Sequence, residues 1–519
     1  MSTSDDSEWQ IEYNKDVISR LLKNDPELTS LEIAQPSNEA GGVQYFVQPN
    51  GDKELELLGR LVGSNTHLKE LSLIGSQLFN DDPALSIIPF YTGLSNNKSI
   101  TQITLNWFEG DQVMRSLHPF FKRNRNLAEL NIHRCILGRE GNKLLASAIS
   151  KCIGSLSSLN IESNATDGGE GHSDEDLAII VQALIFHPHL KRFRITGENI
   201  GTRTLSVLER LLRHHITELN TFDLHHNNFV NEVVSMSAVL TTVMKKKMIH
   251  TLKLRQWNGG LGIGQEGMDV LANTLPNSSL RHLDVSGNIN RGSDGGVDAL
   301  VVALPRSNLM SLNLSQVNFG ESGVKALACA LKADPCLEKL GLASGISAAG
   351  KVAIAEALAN NSHLKEVDLS LSLESSDSDE CWMAFSNTLC DTTTVNKTHL
   401  SNHTLEDIRQ AQSFFLMIED SRPQDVVSAL ELNQCADKQQ VAMKKILKHH
   451  RHFDIQPFVQ WEFKVLPLLI HWLERTAPFS AEFDMNGTIE MRKLLSYTNS
   501  FKRCQSYLSY LIPYKSLLS

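Results

Sequence analysis

Hydrophobic and polar residues alternate in short bursts along this chain, and each burst gives way to a longer stretch with a different period. From Leu309, the apolar Leu312 and Leu314 alternate with Ser311, Asn313 and Ser315, the period-2 pattern of a strand with one buried face. Val317 and Phe319 lead into a turn at Gly320 and Gly323. Val324, Ala326, Leu327, Ala330 and Leu331 then fall at the spacing of one helix face. At Leu337 the pattern begins again. Aligned on L-x-x-L-x-L, strands are predicted to begin at Leu28, Leu68, Ile100, Leu127, Leu156, Leu190, Leu219, Ile249, Leu280, Leu309, Leu337, Leu364 and, in degenerate form, Val395. Successive starts lie 27 to 34 residues apart, except for a first step of 40.

A unit of about 28 residues leaves room for a full helix after each strand. It resembles the ribonuclease-inhibitor type of leucine-rich repeat. The residues carrying the likeness are GREGNKLLASAI from Gly138, GQEGMDVLANTL from Gly264 and GESGVKALACAL from Gly320, with looser copies from Ser293 and Ala348. The resemblance covers about three quarters of the chain. It implies an α/β fold, a right-handed solenoid (horseshoe) with parallel strands on the concave face and helices outside. Residues 34–53 and the acidic loop Glu162 to Asp176 read as insertions, and only Asn227 and Asn288 fill cleanly the asparagine position that follows each strand.

The expected organisation is a helical cap over residues 1–27, a repeat domain over 28–405 and a C-terminal helical region over 406–519. Residues 12–24 form an amphipathic pattern suited to the cap, because a terminal repeat cannot leave its apolar flank open. Past Leu405 the period is lost. A basic amphipathic helix from Val441 precedes Phe453, Phe458, Trp461, Phe463 and Trp472. These aromatics read either as a small core docked on the last repeat or as a partner-docking helix pair. The string from Leu430 to Arg475 is also similar to a C-terminal extension of leucine-rich-repeat proteins in unicellular algae, which brings no known activity.

The net charge of −10 argues against general nucleic-acid binding, which needs a basic footprint. The polar, acidic start MSTSDDSEWQIEY lacks the pattern of a secretion signal, and no apolar run approaches the roughly 20 residues that span a bilayer. Eight cysteines without a C-x-x-C pair read as reduced, buried thiols. The expectation is an intracellular protein, cytoplasmic with the nucleus left open, that uses no membrane and no nucleic acid.

Candidate chemistry is sparse. Gly262, Gly264 and Gly267 spell G-x-G-x-x-G between a strand and a helix, with Asp284 on the next strand, as a dinucleotide site requires. Gly264 and Gly267 also align with Gly320/Gly323 and Gly138/Gly141, so the repeat register accounts for them. The pairs His214/His215 and His225/His226 place neighbours on opposite strand faces, a poor arrangement for metal, and His449, His450 and His452 suit a helix C-terminus. No G-x-S-x-G nucleophile pattern occurs. The expectation is therefore no enzyme, no metal and no small-molecule cofactor. One enzymatic alternative rests on resemblance. GTPase-activating proteins for the nuclear-transport GTPase use this repeat type with a loop arginine, and Arg139 sits in such a loop, where it would stabilise charge on a transferred phosphoryl group.

The concave face is the remaining candidate. Arg192 and Arg194, Asp223 and His225, Lys253 and Arg255 with Trp257 fall at outward positions of three adjacent strands. Parallel strands lie about 4.8 Å apart, so these residues are expected to form one charged patch with an aromatic beside it. Trp107 is a second, separate candidate; Arg and Trp are common binding hot spots. The functional expectation is a non-catalytic scaffold or adaptor that grips another protein on this face. A sensor-like module that signals through its C-terminal helices is a further alternative.

Overall fold

The computed structural model describes residues 15–33, 46–47, 52–75, 88–163, 171–214, 218–229, 233–256, 262–288, 296–317, 319–343, 346–369, 377–409 and 422–450. The chain divides into two compact units: Met1–Cys381 with Asp407–Ser421, and Trp382–Glu406 with Arg422–Ser519.

The first unit is built on one 14-stranded parallel sheet. Its strands are β1 (Ser30–Ile33), β2 (Phe46–Val47), β3 (Glu70–Ile74), β4 (Gln102–Asn106), β5 (Glu129–His133), β6 (Ser158–Glu162) and β7 (Arg192–Thr196). They continue as β8 (Thr221–Asp223), β9 (Thr251–Lys253), β10 (His282–Asp284), β11 (Ser311–Asn313), β12 (Lys339–Gly341), β13 (Glu366–Asp368) and β14 (Asp407–Arg409). Neighbours in the sheet follow chain order from β14 down to β3, then β1, with β2 outermost. Thus β2, from the insertion after β1, pairs with the outer edge of β1 through Glu32↔Phe46 and Ile33↔Val47. This strand was not legible in the repeat pattern because its sequence belongs to no repeat.

The leucine positions explain why each strand forms where it does. Leu28, Leu31 and Ile33 are fully buried, and the equivalent residues of later repeats, such as Leu219, Phe222 and Leu224, are buried likewise. A helix from each repeat lays its apolar side on the same core: Leu205, Leu208, Leu211 and Leu212 of Thr202–Arg213, then Met236, Val239 and Leu240 of Val233–Lys245. Strands pair at about 4.8 Å, whereas helix axes pack at 8–10 Å. Such a stack must bend with its strands on the inside. At the N-terminal end, Val17 and Leu21 of the helix at 15–22 are buried, while Leu22 faces solvent.

A second set of polar residues fixes the repeats to one another. Asn65, Asn97, Asn124 and Asn361 each stand three residues before the first apolar residue of a strand, and all four are buried. Asn97 shows the device in full. Its Oδ1 accepts from the amides of Ser99 (2.8 Å) and Ile100 (2.9 Å), and its Nδ2 donates back to Val62 O (2.6 Å) and Asn65 O (2.9 Å) of the preceding repeat. The side chain thereby satisfies amides and carbonyls that a helix end leaves unpaired.

The same signature relocates the last strand. The strand expected at Val395 is instead a helix, Val395–His399, because Thr394 caps it by accepting from Lys397 N. The final strand follows Asn402, whose Oδ1 accepts from Leu405 N (2.9 Å), and is β14. The buried-thiol expectation is also corrected in part. Cys135, Cys152 and Cys381 are buried, and burial pushes their thiols up to about 12, 11 and 11, but Cys329 and Cys336 are exposed. All seven cysteines among the described residues are unpaired.

The second unit includes the helices Val395–His399, Gln424–Asn433 and Lys438–His449. At its centre lies Lys445, fully buried, with Nζ donating to Leu389 O (2.6 Å) and Asn402 O (2.9 Å). Asn433 Nδ2 donates to Leu405 O (2.7 Å) in the same manner as the asparagines of the first unit. Burial pushes the Lys445 ammonium down to about 7, against the opposing Cys390 thiol and with Lys438 adding to the fall. The aromatics from Phe453 to Trp472 lie outside the described residues.

Two outcomes follow from this packing. Asn97→Ala strands buried backbone groups on two repeats and is expected to cost about 3 kcal/mol, read as a lower urea midpoint. Lys445 binds its proton more weakly in the folded protein than in the unfolded chain, where 10.5 is the ordinary value. Between about 7 and 10.5 the unfolded chain therefore holds more protons, and the contribution of Lys445 to stability rises with pH across that window. Thermal unfolding of the full chain at several pH values should show this slope, and Lys445→Met should remove it.

Candidate functional site on the strand face

Along strands β3 to β13 the residues between the buried leucine positions share the other face of the sheet, and the parallel register aligns them into columns. One column runs Thr104, Asn131, Asn160, Arg194, Asp223, Lys253 and Asp284. A second runs Asn106, His133, Glu162 and Thr196.

Arg194, Asp223 and His225 form one cluster. Asp223 Oδ2 takes Arg194 Nε at 3.0 Å, while Asp223 Oδ1 takes His225 Nδ1 at 2.6 Å and the His225 amide at 3.2 Å. Asp223 is only 2% exposed. The expectation that Asp223 is itself a readable contact is therefore corrected. Arg194 and His225 converge on it from both sides and cover it, so its work is to hold them in place. Burial alone would push its carboxyl up. The hydrogen bond and charge of His225, followed by Arg194, outweigh this and hold it below the usual aspartate value.

Arg192 reaches across β6, over the small Ser158, to Glu129 Oε2 at 3.0 Å, and its side chain stays 60% exposed. Lys253 and Arg255 are half-buried on the neighbouring strand. Among the described residues the Lys253 ammonium has no ion-pair or hydrogen-bond partner. Trp257 lies outside the described residues.

Trp107 is 44% exposed and carries a positive φ of 58°. Arg134, at the same place in the next repeat with φ 50°, sets its guanidinium 4.9 Å from the indole centroid, within cation–π range. Both residues sit in a left-handed conformation unusual for bulky side chains. The amide of each donates to the following strand end, Trp107 N to His133 O (3.1 Å) and Arg134 N to Glu162 O (2.6 Å). Asn160 Nδ2 donates to His133 Nε2 at 2.8 Å, and Asn160 is the register partner of Arg194. Burial lowers the His133 pKa, against Glu162 and with help from Arg194 and Arg134, which favours the neutral ring. Trp107 is thus joined to the charged patch rather than separate from it. Arg134, His133, Asn160 and Glu129 were not singled out in the sequence, although the repeat alignment already places His133 in the column of His225 and Arg255.

The residue after each strand decides the repeat type. Asn227 is buried and donates to Ile195 O (2.7 Å) and Leu224 O (2.8 Å) while accepting from Glu198 N (2.9 Å). Asn288 repeats this with Leu254 O (2.9 Å), Val285 O (2.8 Å) and Ile263 N (3.0 Å), and Cys135 takes the position three repeats before Asn227, its thiol donating to Leu105 O (3.3 Å). The chain is a leucine-rich-repeat protein.

No family model matches the chain. It is 26% identical over 245 residues to "NACHT, LRR and PYD domains-containing protein 12" of Mus musculus and 28% identical over 245 residues to that of Homo sapiens. In both cases 42% of this chain is covered, and the chain spans 22% of the relative's length. Among solved structures, the complex of Rad7 and Elc1 in yeast overlays with a TM-score of 0.40 and 16% identity, covering 71% of this chain and 83% of that one.

Other motifs of this leucine-rich-repeat chain have structural employment. Gly262 packs against the side chain of Asn288, Gly264 has φ 65°, and Gly267 sits against Ile263. The G-x-G-x-x-G string is a repeat turn that makes room for the asparagine of the next repeat. Arg139 opens the helix Arg139–Lys151 and pairs with Glu175 (2.8 Å), which also binds Arg203 (3.3 Å). His450 Nε2 bonds Thr398 Oγ1 at 2.7 Å. Among the described residues no group of three or more His, Cys, Asp or Glu is placed to hold a metal, and no helix is long and apolar enough to cross a membrane.

Asp223→Ala is expected to cost about 2 kcal/mol at neutral pH, because Arg194 and His225 lose a buried partner. The Asp223 carboxylate stabilises the fold above the ordinary value of 3.8, and the contribution is lost as pH falls through its lower folded value. Urea unfolding of both proteins should therefore converge in strong acid.

Proposed function

We propose that this protein is a non-catalytic interaction scaffold that receives a partner protein on the strand face of its repeats. The repeat architecture is consistent with a protein-binding module. The observation that carries the finer reading is the arrangement around Asp223, where a buried carboxylate holds a partly exposed Arg194 and a half-buried His225. Arginine held in one geometry loses little freedom on docking, so more of each contact is retained as affinity. Arg192 and Arg255 extend the cationic surface, and the Trp107–Arg134 pair supplies an aromatic anchor at its border. Arg and Trp are the side chains most often found to dominate binding energy.

The experiment compares capture of partners from source lysate by wild type and by Arg194→Glu/Arg255→Glu, with circular dichroism as the folding control. A partner held by wild type and lost by the double variant supports the strand face as the site. Arg139→Ala should leave that capture unchanged. An identical partner set in wild type and double variant would remove this function from the face.

A further inference from the structure

The chain carries a net charge of −10, yet the middle of its strand face has the opposite sign. Arg192 and Arg194 lie on β7, Lys253 on β9 and Arg255 just beyond it, with β8 and its Asp223 and His225 between them, and Arg281 begins the approach to β10. His282 reports the field there. Burial lowers its pKa first, and Arg281, Lys253 and Lys339 act in the same direction. The face changes character on either side. Toward the N-terminus the outward positions include Glu32 and Glu70, and toward the C-terminus Ser311, Asn313 and Gly341 are uncharged while Lys339 is paired with Glu366 at 2.7 Å. The basic zone is bounded, and Trp107 with Arg134 closes its N-terminal side.

We propose that the zone from β4 to β9 receives an extended acidic segment of a partner protein, with its carboxylates on Arg192, Arg194 and Lys253 and one apolar side chain against the Trp107–Arg134 pair. This rests on the strand-face reading above and adds the chemistry of the partner. Lys253 has its charge unspent among the described residues. Arg194 gives only Nε to Asp223 and leaves its side chain 39% exposed. A guanidinium fork matches a carboxylate in two parallel hydrogen bonds.

The dimensions agree. Five strand steps of about 4.8 Å span about 24 Å, which an extended peptide covers in about seven residues at 3.3 Å each. A nucleic-acid strand fits less well. Glu129, Glu162 and Asp223 are interleaved with the cations, and a phosphate backbone presents charge at every step, so it must pass over them. A peptide can place uncharged residues there.

The test measures fluorescence anisotropy of a fluorescein-labelled peptide of about ten residues, with glutamates alternating with serines and one tryptophan near one end. The reference probes are its glutamine and lysine counterparts and a short single-stranded oligonucleotide. The glutamate peptide should bind the full chain, lose affinity as salt is raised, and bind about tenfold more weakly to Lys253→Glu. Lys253→Gln should show a smaller loss in the same direction, and Trp107→Ala a loss for the glutamate peptide that persists at high salt. Equal binding of the glutamine peptide, indifference to Lys253→Glu, or preferential binding of the oligonucleotide would each overturn the proposal. If Asn160→Trp, which blocks the face, abolishes capture of a lysate partner while the glutamate peptide does not bind wild type, the acidic segment is refuted and the docking face stands.

Discussion

The structure of the first unit depends on one constraint: each strand must sit in parallel register with the strands before and after it. The register places Leu31 beside Leu71 and Leu283 beside Leu312, so the buried leucines of successive strands stack on one another. A shift of one residue would turn that entire set out of the core. The buried asparagines act on the same constraint from the ends. Asn97 and Asn361 tie the entry of a strand to the preceding repeat, while Asn227 and Asn288 tie its exit. Register is thus held by apolar burial in the middle and by hydrogen bonds at both ends.

The strand face inherits its chemistry from this register. Outward residues about thirty positions apart in sequence become neighbours about 4.8 Å apart. That is how Asp223 comes to hold Arg194, how Arg192 meets Glu129 across an intervening strand, and how Arg134 comes to lie over Trp107. The rigid frame accounts for a carboxylate that is buried yet charged: Arg194 and His225 are delivered to it by the fold. Residues on such a frame cost little to hold in a binding geometry.

The motifs that first suggest other chemistry are absorbed by the same packing. The glycines at 262, 264 and 267 follow the shape of a turn that must admit Asn288, and Arg139 is engaged by a glutamate of the next repeat. A short motif in a repeat protein has to be compared with its counterparts one period away before its chemistry is read, because the period alone already explains much of it.

The amino-acid pattern by itself determined the repeat, the alternation of strand and helix, the buried leucine positions and the row of charged residues on adjacent strands. These are local or periodic properties, and a period repeated a dozen times is legible without coordinates. The position of the last strand was legible too, in Asn402 and Leu405, but only once the role of the asparagine three residues upstream was known. Tertiary structure alone decided the rest. It converted Val395 from a strand start to a capped helix, added β2 from an insertion outside the repeat, and buried Asp223 while leaving Arg194 and Arg192 accessible. Those outcomes turn on which side chains meet across repeats and how much water they exclude, and both are set by register between segments far apart in the chain.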